Sequence, residues 1–232
     1  MKKTFCFLIL TTILLLCFAG CSTSPSDKYF TYEETEGGLM ITAVLSTAGK
    51  IEIPSEHGGK PVVAIKESAF YRNENLRSLT IPASVAYIGS YAFSDCPKLQ
   101  TVVFEKGGRC SIDDSAFEGC TLLGKLRFNA SVVSVGDRAF KDCRRVGLLK
   151  VGGELTQIGQ DAFMNCERML FSAPRDSVAY AYAAENNLPT SFFDSLYFLY
   201  IQIFCAVLAA VALLILFRWL SKKRKNKRKN ST

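Results

Sequence analysis

The dipeptide Ala-Phe recurs five times at nearly constant spacing, as Ala69-Phe70, Ala92-Phe93, Ala116-Phe117, Ala139-Phe140 and Ala162-Phe163. The steps are 23, 24, 23 and 23 residues, and in the last four copies a cysteine follows the Phe by three (Cys96, Cys120, Cys143, Cys166). A period in the twenties predicts a solenoid, in which no single coil buries its own apolar face and stacked neighbours share one core. That moves the functional question from clefts to surfaces.

The two ends of the 232-residue chain have a different character. Residues 1–20 read as a secretion signal: Lys2 and Lys3, an apolar run from Phe5 to Phe18, then Ala19 and Gly20. Residues 196–217 form a 22-residue apolar run without a formal charge. As a helix it is about 33 Å long, enough for a hydrocarbon core of about 30 Å. Tyr197, Tyr200 and Trp219 flank it, and Arg218 opens a basic tail over 218–232, so the segment is expected to be a transmembrane helix with the tail cytoplasmic. The net charge of +7 is therefore misleading. Setting aside the basic residues of both ends leaves 18 Lys and Arg against 21 Asp and Glu, about −3 for the stretch between. This balance gives no reason to expect nucleic acid as a partner. The basic tail is expected to touch anionic lipid headgroups.

Phe18-Ala19-Gly20-Cys21 resembles the lipobox of bacterial lipoproteins, although Phe18 stands where Leu is usual. The resemblance implies lipidation of Cys21, with ordinary cleavage and an uncleaved anchor as alternatives. The last is disfavoured because 14 to 16 apolar residues are short for a span. Residues 21–28 then form the lipidation Cys and a Ser-rich tether.

Residues 29–64 predict an N-terminal β cap and the entry to the first coil. Tyr29 to Tyr32, Leu39 to Leu45 and Ile51 to Ile53 read as strands, with Glu36-Gly37-Gly38 as a turn. Across 65–175 five coils superpose. Ile65, Ile88, Ile112, Val135 and Ile158 precede the Phe by five, while Leu76, Leu99, Leu123, Val146 and Met169 follow it by six. Leu79, Val102, Leu126 and Leu149 follow by nine, and Ile81, Phe104, Phe128 and Val151 by eleven. The last two columns alternate as a strand does and predict a parallel ladder with coils about 4.8 Å apart. At the matching places of the fifth coil stand Ser172 and Pro174, so the array is expected to end there. The extra residue of the third coil falls within Glu105–Cys110. Residues 176–190 predict a C-terminal capping helix, N-capped by Asp176 or Ser177 and closed by Asn186-Asn187. Val178, Tyr182 and Ala181 are expected to cover the last coil.

The unit Ile-Pro-x-x-Val-x-x-Ile-Gly-x-x-Ala-Phe-x-x-Cys-x-x-Leu, legible at Ile81 to Leu99, resembles the BspA-type (Treponema-type) leucine-rich repeat. Further copies stand at Val132 to Val146 and Leu155 to Met169. The resemblance implies a leucine-rich-repeat solenoid, α/β by convention, with five coils of about 23 residues, short parallel strands on a concave side and turns or 3-10 segments elsewhere. It also implies surface recognition, since members are commonly cell-surface adhesins or binding proteins.

Five cysteines fall outside the signal, the lipobox and the apolar helix: Cys96, Cys110, Cys120, Cys143 and Cys166. A buried ladder of small apolar side chains is favoured for four of them. A disulfide between adjacent coils and a metal site are the alternatives, and Cys110 stands outside the ladder. The sole histidine, His57, has no nucleophile or orienting partner nearby in sequence and reads as a loop residue. The Gly pairs lack the lysine and helix of a phosphate loop and read as turns. Asn129-Ala130-Ser131 matches a glycosylation sequon; the lipobox resemblance implies a bacterial protein and favours coincidence. Leu188-Pro189-Thr190-Ser191-Phe192 lacks the Thr and Gly of a sortase signal, so retained anchoring is expected.

No residue pattern predicts catalysis, a cofactor or a metal. The outward positions of the strands are the candidate partner-binding face: Ser78 and Thr80, Thr101 and Val103, Lys125 and Arg127, Leu148 and Lys150. This column mixes basic and apolar residues and suits an acidic or extended partner; ordinary solvated strand positions are the competing reading. The expected protein is a non-enzymatic binding or adhesion module displayed outside a bacterial membrane, with an extracellular protein or polymer as ligand. The alternative is a structural or sensory envelope component that scaffolds a membrane complex.

Overall fold

The computed structural model describes residues 29–129, 131–190 and 203–204. A bulged antiparallel hairpin, β1 (Phe30–Thr35) and β2 (Gly38–Val44), precedes β3 (Lys50–Glu52), β4 (Glu56–His57) and β5 (Lys60–Ile65). Each later coil supplies a rung and a second short strand. These pairs are β6 (Ser78–Ile81) with β7 (Tyr87–Ile88), and β8 (Thr101–Phe104) with β9 (Cys110–Ile112). Next come β10 (Lys125–Arg127) with β11 (Val132–Val135), and β12 (Leu148–Lys150) with β13 (Gln157–Ile158). The strand β14 (Leu170–Ser172) and the helix α1 (Val178–Glu185) complete the described fold.

The rungs stack in parallel as β3-β6-β8-β10 and as β12-β14, with Ile51, Leu79, Val102 and Leu126 aligned in one buried column and Leu149 and Phe171 in the other. Two sequence expectations are corrected here. Ile51 belongs to the first rung rather than to a cap strand, so the ladder has six rungs and not five. The ladder ends at Ser172, as expected, but the last coil still supplies a buried rung residue: β14 slips by one residue, placing Phe171 opposite Leu149 and fully buried. The fixed offset from Phe163 missed it because the last coil is one residue shorter.

A second ladder, absent from the sequence expectation, runs β1-β2-β5-β7-β9-β11-β13. It is parallel from β2 onward and carries Ile65, Ile88, Ile112, Val135 and Ile158. Cys110 pairs with Val132 in it and is buried. It joins the inward column of Val62, Val85, Val132 and Leu155, taking the place of a valine. That accounts for the cysteine left outside the ladder.

The Ala-Phe corner is the third side of each coil. Its N–H groups alternate between two directions. Those of Ala69, Tyr71 and Asn73 close turns onto Lys66, Ser68 and Phe70, while Ser68, Phe70 and Arg72 donate to Ser90, Ala92 and Ser94 of the next coil. Later coils repeat this pattern, with Phe93, Phe117 and Phe140 donating to Ala116, Ala139 and Ala162 at 2.7, 2.7 and 2.8 Å. The geometry needs a left-handed residue just before the Ala: Ser68, Tyr91, Ser115, Arg138 and Asp161 have φ between 54° and 58°. It needs another two after the Phe, at Arg72, Asp95, Gly119, Asp142 and Asn165. Each non-glycine residue there costs about 1–2 kcal/mol, offset in all but the last coil by its N–H bond to the next coil. The Ala side chain is small enough to be sealed inside the corner. The Phe rings then stack face to face along the whole core at 4.6, 4.9, 5.0 and 5.3 Å.

Gly89 stands three residues before Ala92, where the coil crosses its predecessor closely. A Cβ there would lie 2.6 Å from Glu67 N and 3.0 Å from Glu67 Cα. Gly89→Ala is therefore expected to push two backbones apart and cost about 2–3 kcal/mol, read as a lowered midpoint in urea.

Both ends of the core are closed by aromatic side chains. At the first coil Phe30 of β1 lies 6.2 Å from the Phe70 ring. His57 sits in the β4–β5 hairpin, its ring stacked 4.3 Å from Tyr32. At the last coil the Phe N–H ladder finds no further Ala carbonyl, and Phe163 N–H donates instead to Tyr182 Oη of α1 at 3.3 Å. Ser177 caps α1, its side chain accepting from Tyr180 N–H. The buried face of α1 is Ala179, Tyr182 and Ala183; Val178 and Ala181, expected to pack inward, point outward. Val178 is exposed because the face turned to the coil is set by the helical spacing of Ala179, Tyr182 and Ala183.

The expected signal at 1–20, Cys21 and its tether, and almost all of the expected membrane segment at 196–217 lie outside the described residues, as does the tail at 218–232. Among the described residues no helix is long and apolar enough to cross a membrane.

Candidate functional site

The outward strand positions come together as two rows. Ser78, Thr101 and Lys125 pair in one row across β6, β8 and β10, and Thr80, Val103 and Arg127 in the next. Leu148 and Lys150 of β12 stand apart from them, paired with Leu170 and Ser172 of β14. The six-rung face also includes Lys50 and Glu52 on β3, a 2.6 Å exposed ion pair that the sequence reading left in the cap. The threonines, Ser78 and Val103 are half-buried, whereas Lys125, Arg127, Leu148 and Lys150 are exposed. The charged half of the column thus stands proudest of the surface.

The ladder is split between β10 and β12. No strand pairing joins them among the described residues, and the backbone hydrogen bond that crosses is Gly147 N–H to Gly124 C=O at 3.3 Å. The cause can be followed carbonyl by carbonyl. Ile81 C=O accepts from Glu105 N–H of the next coil at 2.9 Å, as a continuing ladder requires. Phe104 C=O accepts from the Asn129 side chain at 2.7 Å. Phe128 C=O accepts from its own Ser131 N–H at 2.9 Å. Asn129 adopts φ 49°, which turns the chain away at the end of β10 and leaves its side chain to complete the bond. Residue type alone does not announce this: Asn129 stands where Pro54 and Pro82 follow their rungs, but so does Glu105, and the ladder continues past it.

The split opens a cleft of about 680 Å³ lined by Lys125, Arg127, Asn129, Leu148 and Lys150 above the buried Leu126 and Phe128. No carboxylate lines it. Lys125 and Arg127 have no ion-pair partner among the described residues, whereas Lys60, Lys66, Arg72 and Lys141 are paired with Glu34, Glu33, Asp95 and Glu118.

A second, smaller hollow of about 350 Å³ lies along β7, β9, β11 and β13 and contains Asp113, Asp114 and Asp137. These carboxylates are occupied within the fold. Asp113 accepts from Tyr87 Oη at 2.7 Å and Ser90 Oγ at 2.8 Å, while Asp114 accepts from Asp137 N–H and Asp137 from Gln160 N–H, both at 2.7 Å. Burial pushes the Asp113 carboxyl up, but the bonds from Tyr87, Ser90 and Asp114 together hold it below its ordinary value. The same Tyr87–Asp113 bond, with burial, raises the Tyr87 phenol to about 12. No group of three metal-ligating side chains occurs among the described residues.

The five described cysteines are free and buried. Four of them form one column in which each thiol donates to the Phe carbonyl of the preceding coil. Cys96, Cys120, Cys143 and Cys166 reach Phe70, Phe93, Phe117 and Phe140 at 3.3, 3.1, 3.2 and 3.2 Å. Hydrogen bonding to Cys120 and burial raise the Cys96 thiol, hydrogen bonding to Cys143 raises Cys120, and burial raises Cys110 and Cys166 to about 12. Because the native state holds these protons while unfolded thiols release them above about pH 8.5, stability must fall as pH rises from there towards 12. Each such thiol removes up to about 1.4 kcal/mol per pH unit. Thermal melts between pH 7 and 10 are expected to show a falling midpoint, with a shallower fall in Cys110→Ala; an unchanged slope in that variant would contradict the assignment.

Parallel rungs around a continuous aliphatic and aromatic core define a leucine-rich-repeat solenoid. The BspA type leucine rich repeat region matches residues 48–170 in six copies, the number of rungs seen in the fold. The chain belongs to this family. It is similar to a leucine-rich-repeat protein of T. pallidum at 31% identity and a TM-score of 0.60, over 63% of this chain and 70% of that one. A leucine-rich-repeat protein from Bacteroides ovatus shares the fold at 24% identity and a TM-score of 0.53, over 66% of this chain and 44% of the other. A search of curated protein sequences returns no match.

Proposed function

We propose that the chain is a non-enzymatic binding module displayed outside a bacterial membrane, which recognises an extracellular protein or polymer through its rung face. The observation that carries this reading is the outward column itself. The repeated residues are consumed by the core and the Ala-Phe corner, whereas the residues between them vary from Ser and Thr to Lys, Arg and Leu at fixed, stacked positions. Family membership supports a binding scaffold, and the fold alone does not choose the ligand. The apolar run at 196–217 with its basic tail would hold the module to the membrane, and an acyl group on Cys21 would hold it a second time.

A screen of the full chain against arrayed extracellular proteins and polysaccharides tests the proposal. At least one ligand is expected whose affinity falls on charge reversal of Lys125, Arg127 and Lys150. Unaltered affinity for every ligand found would move recognition off this face. The anchoring has its own check: mass analysis of the mature protein is expected to find an acylated Cys21 as its first residue, and a free amine on another residue would remove the lipid.

A further inference from the structure

Resting on the rung-face reading, the geometry points to the split between β10 and β12 as the specific docking site, and to an acidic polypeptide segment in extended conformation as its occupant. Charge selects the sign. Lys125 and Arg127 stand on the same side of one rung, exposed, and nothing in the cleft lining carries a negative charge. Spacing selects the conformation. Two residues apart on a strand, the two cations repeat at about 6.8 Å, the same interval at which alternate side chains of an extended peptide recur. An acidic residue at every second position therefore meets both cations without leaving the strand conformation.

The backbone adds to this. The rungs β10 and β12 carry no strand pairing to each other among the described residues, and the cleft above them is open to an extended segment lying across the outward side chains. Leu148 gives the peptide an exposed apolar contact beside the cations. Asn129 is the positioning residue: its side-chain bond to Phe104 C=O replaces the ladder bond and keeps the split open. By contrast, β6 and β8 are fully paired on both edges and present short neutral side chains, so they are assigned no share in the contact.

The test uses the full chain in zwitterionic detergent and a fluorescein-labelled twelve-residue peptide of alternating Glu and Ser, followed by anisotropy. The double variant K125E/R127E is expected to weaken binding at least tenfold, and K125Q/R127Q several-fold. K106E/R109E makes the same change in net charge on the Glu105–Cys110 loop and is expected to change affinity less than twofold. All of these chains keep the same basic tail, so only differences between them count. Equal weakening by both charge-reversed pairs would overturn the site, since a general field would then explain the binding. Equal affinity for the Gln-Ser peptide would overturn the acidic occupant. Binding of dextran sulfate, but not of the Glu-Ser peptide, in a manner lost with K125E/R127E would overturn the peptide while leaving the rung-face reading intact. Loss of binding only on substitution of Thr80 and Thr101 by Glu would overturn the split as the site while leaving the rung-face reading intact.

Discussion

Replacing Phe117 with Ala is expected to lower the unfolding free energy by about 4 kcal/mol and the melting midpoint by about 10 °C. Phe117 is fully buried at the middle of the stack, with the Phe93 and Phe140 rings 4.9 and 5.0 Å away and nearly parallel. Truncation removes the ring and leaves a void that two coils cannot close. Each corner is held to its neighbours by backbone bonds at Ser115, Phe117 and Gly119 of 2.8, 2.7 and 2.9 Å. A solenoid adds a second consequence. Because coils contact only their neighbours, a defect in the third Ala-Phe coil weakens both interfaces at once and divides the array into two short blocks. Denaturation of the variant should therefore broaden as well as shift. A loss below about 1 kcal/mol would mean that the ring stack contributes little beyond filling space.

Tyr182→Ala acts at the other extreme, on the last interface. It leaves Phe163 N–H without its acceptor and uncovers the edges of Phe163 and Phe171, whose ring centres lie 6.0 and 6.4 Å from that of Tyr182. Loss of a buried aromatic and of one hydrogen bond together costs about 3–5 kcal/mol. Here the damage is local. Hydrogen exchange should accelerate in 162–190 by about a hundredfold or more, while the amides of β6 and β8 keep their wild-type protection. Tyr182→Phe separates the two contributions, since it keeps the ring and is expected to cost about 1 kcal/mol. Uniform acceleration along the chain in Tyr182→Ala would show that the array unfolds as a single cooperative unit and that α1 is more than an end cap.

The legible part of this fold is the part that repeats by residue type. Ala and Phe at the corner, the aliphatics of the rung and, in the last four Ala-Phe coils, the Cys three after the Phe stand at fixed offsets, because each fills a volume that recurs from coil to coil. What recurs only in the backbone is hidden. The left-handed position before the Ala is Ser, Tyr, Ser, Arg and Asp in successive coils, so nothing in their side chains announces φ near 55°. The second ladder escaped notice because its strands are as short as two residues, too short to alternate visibly.

Phase errors account for the remaining differences. Ile51 lies 28 residues before Leu79 because the β4–β5 hairpin is inserted in that coil, and Phe171 lies 22 after Leu149. A search at a constant interval near 23 steps over both. The outward placement of the candidate face follows from strand alternation alone. The break of that face between β10 and β12, and the cleft there, depend on the conformation of Asn129, which one residue type does not reveal.

Hydrogen exchange of the full chain, with and without a ligand found by the binding screen, tests the central claim most directly. The account predicts protection confined to the rung strands, strongest over 124–129 and 147–152, with the Ala-Phe corners and the second ladder unchanged. Protection centred on the Ala-Phe corners, or on 110–114 and 132–137, would contradict it and place recognition on another side of the coil.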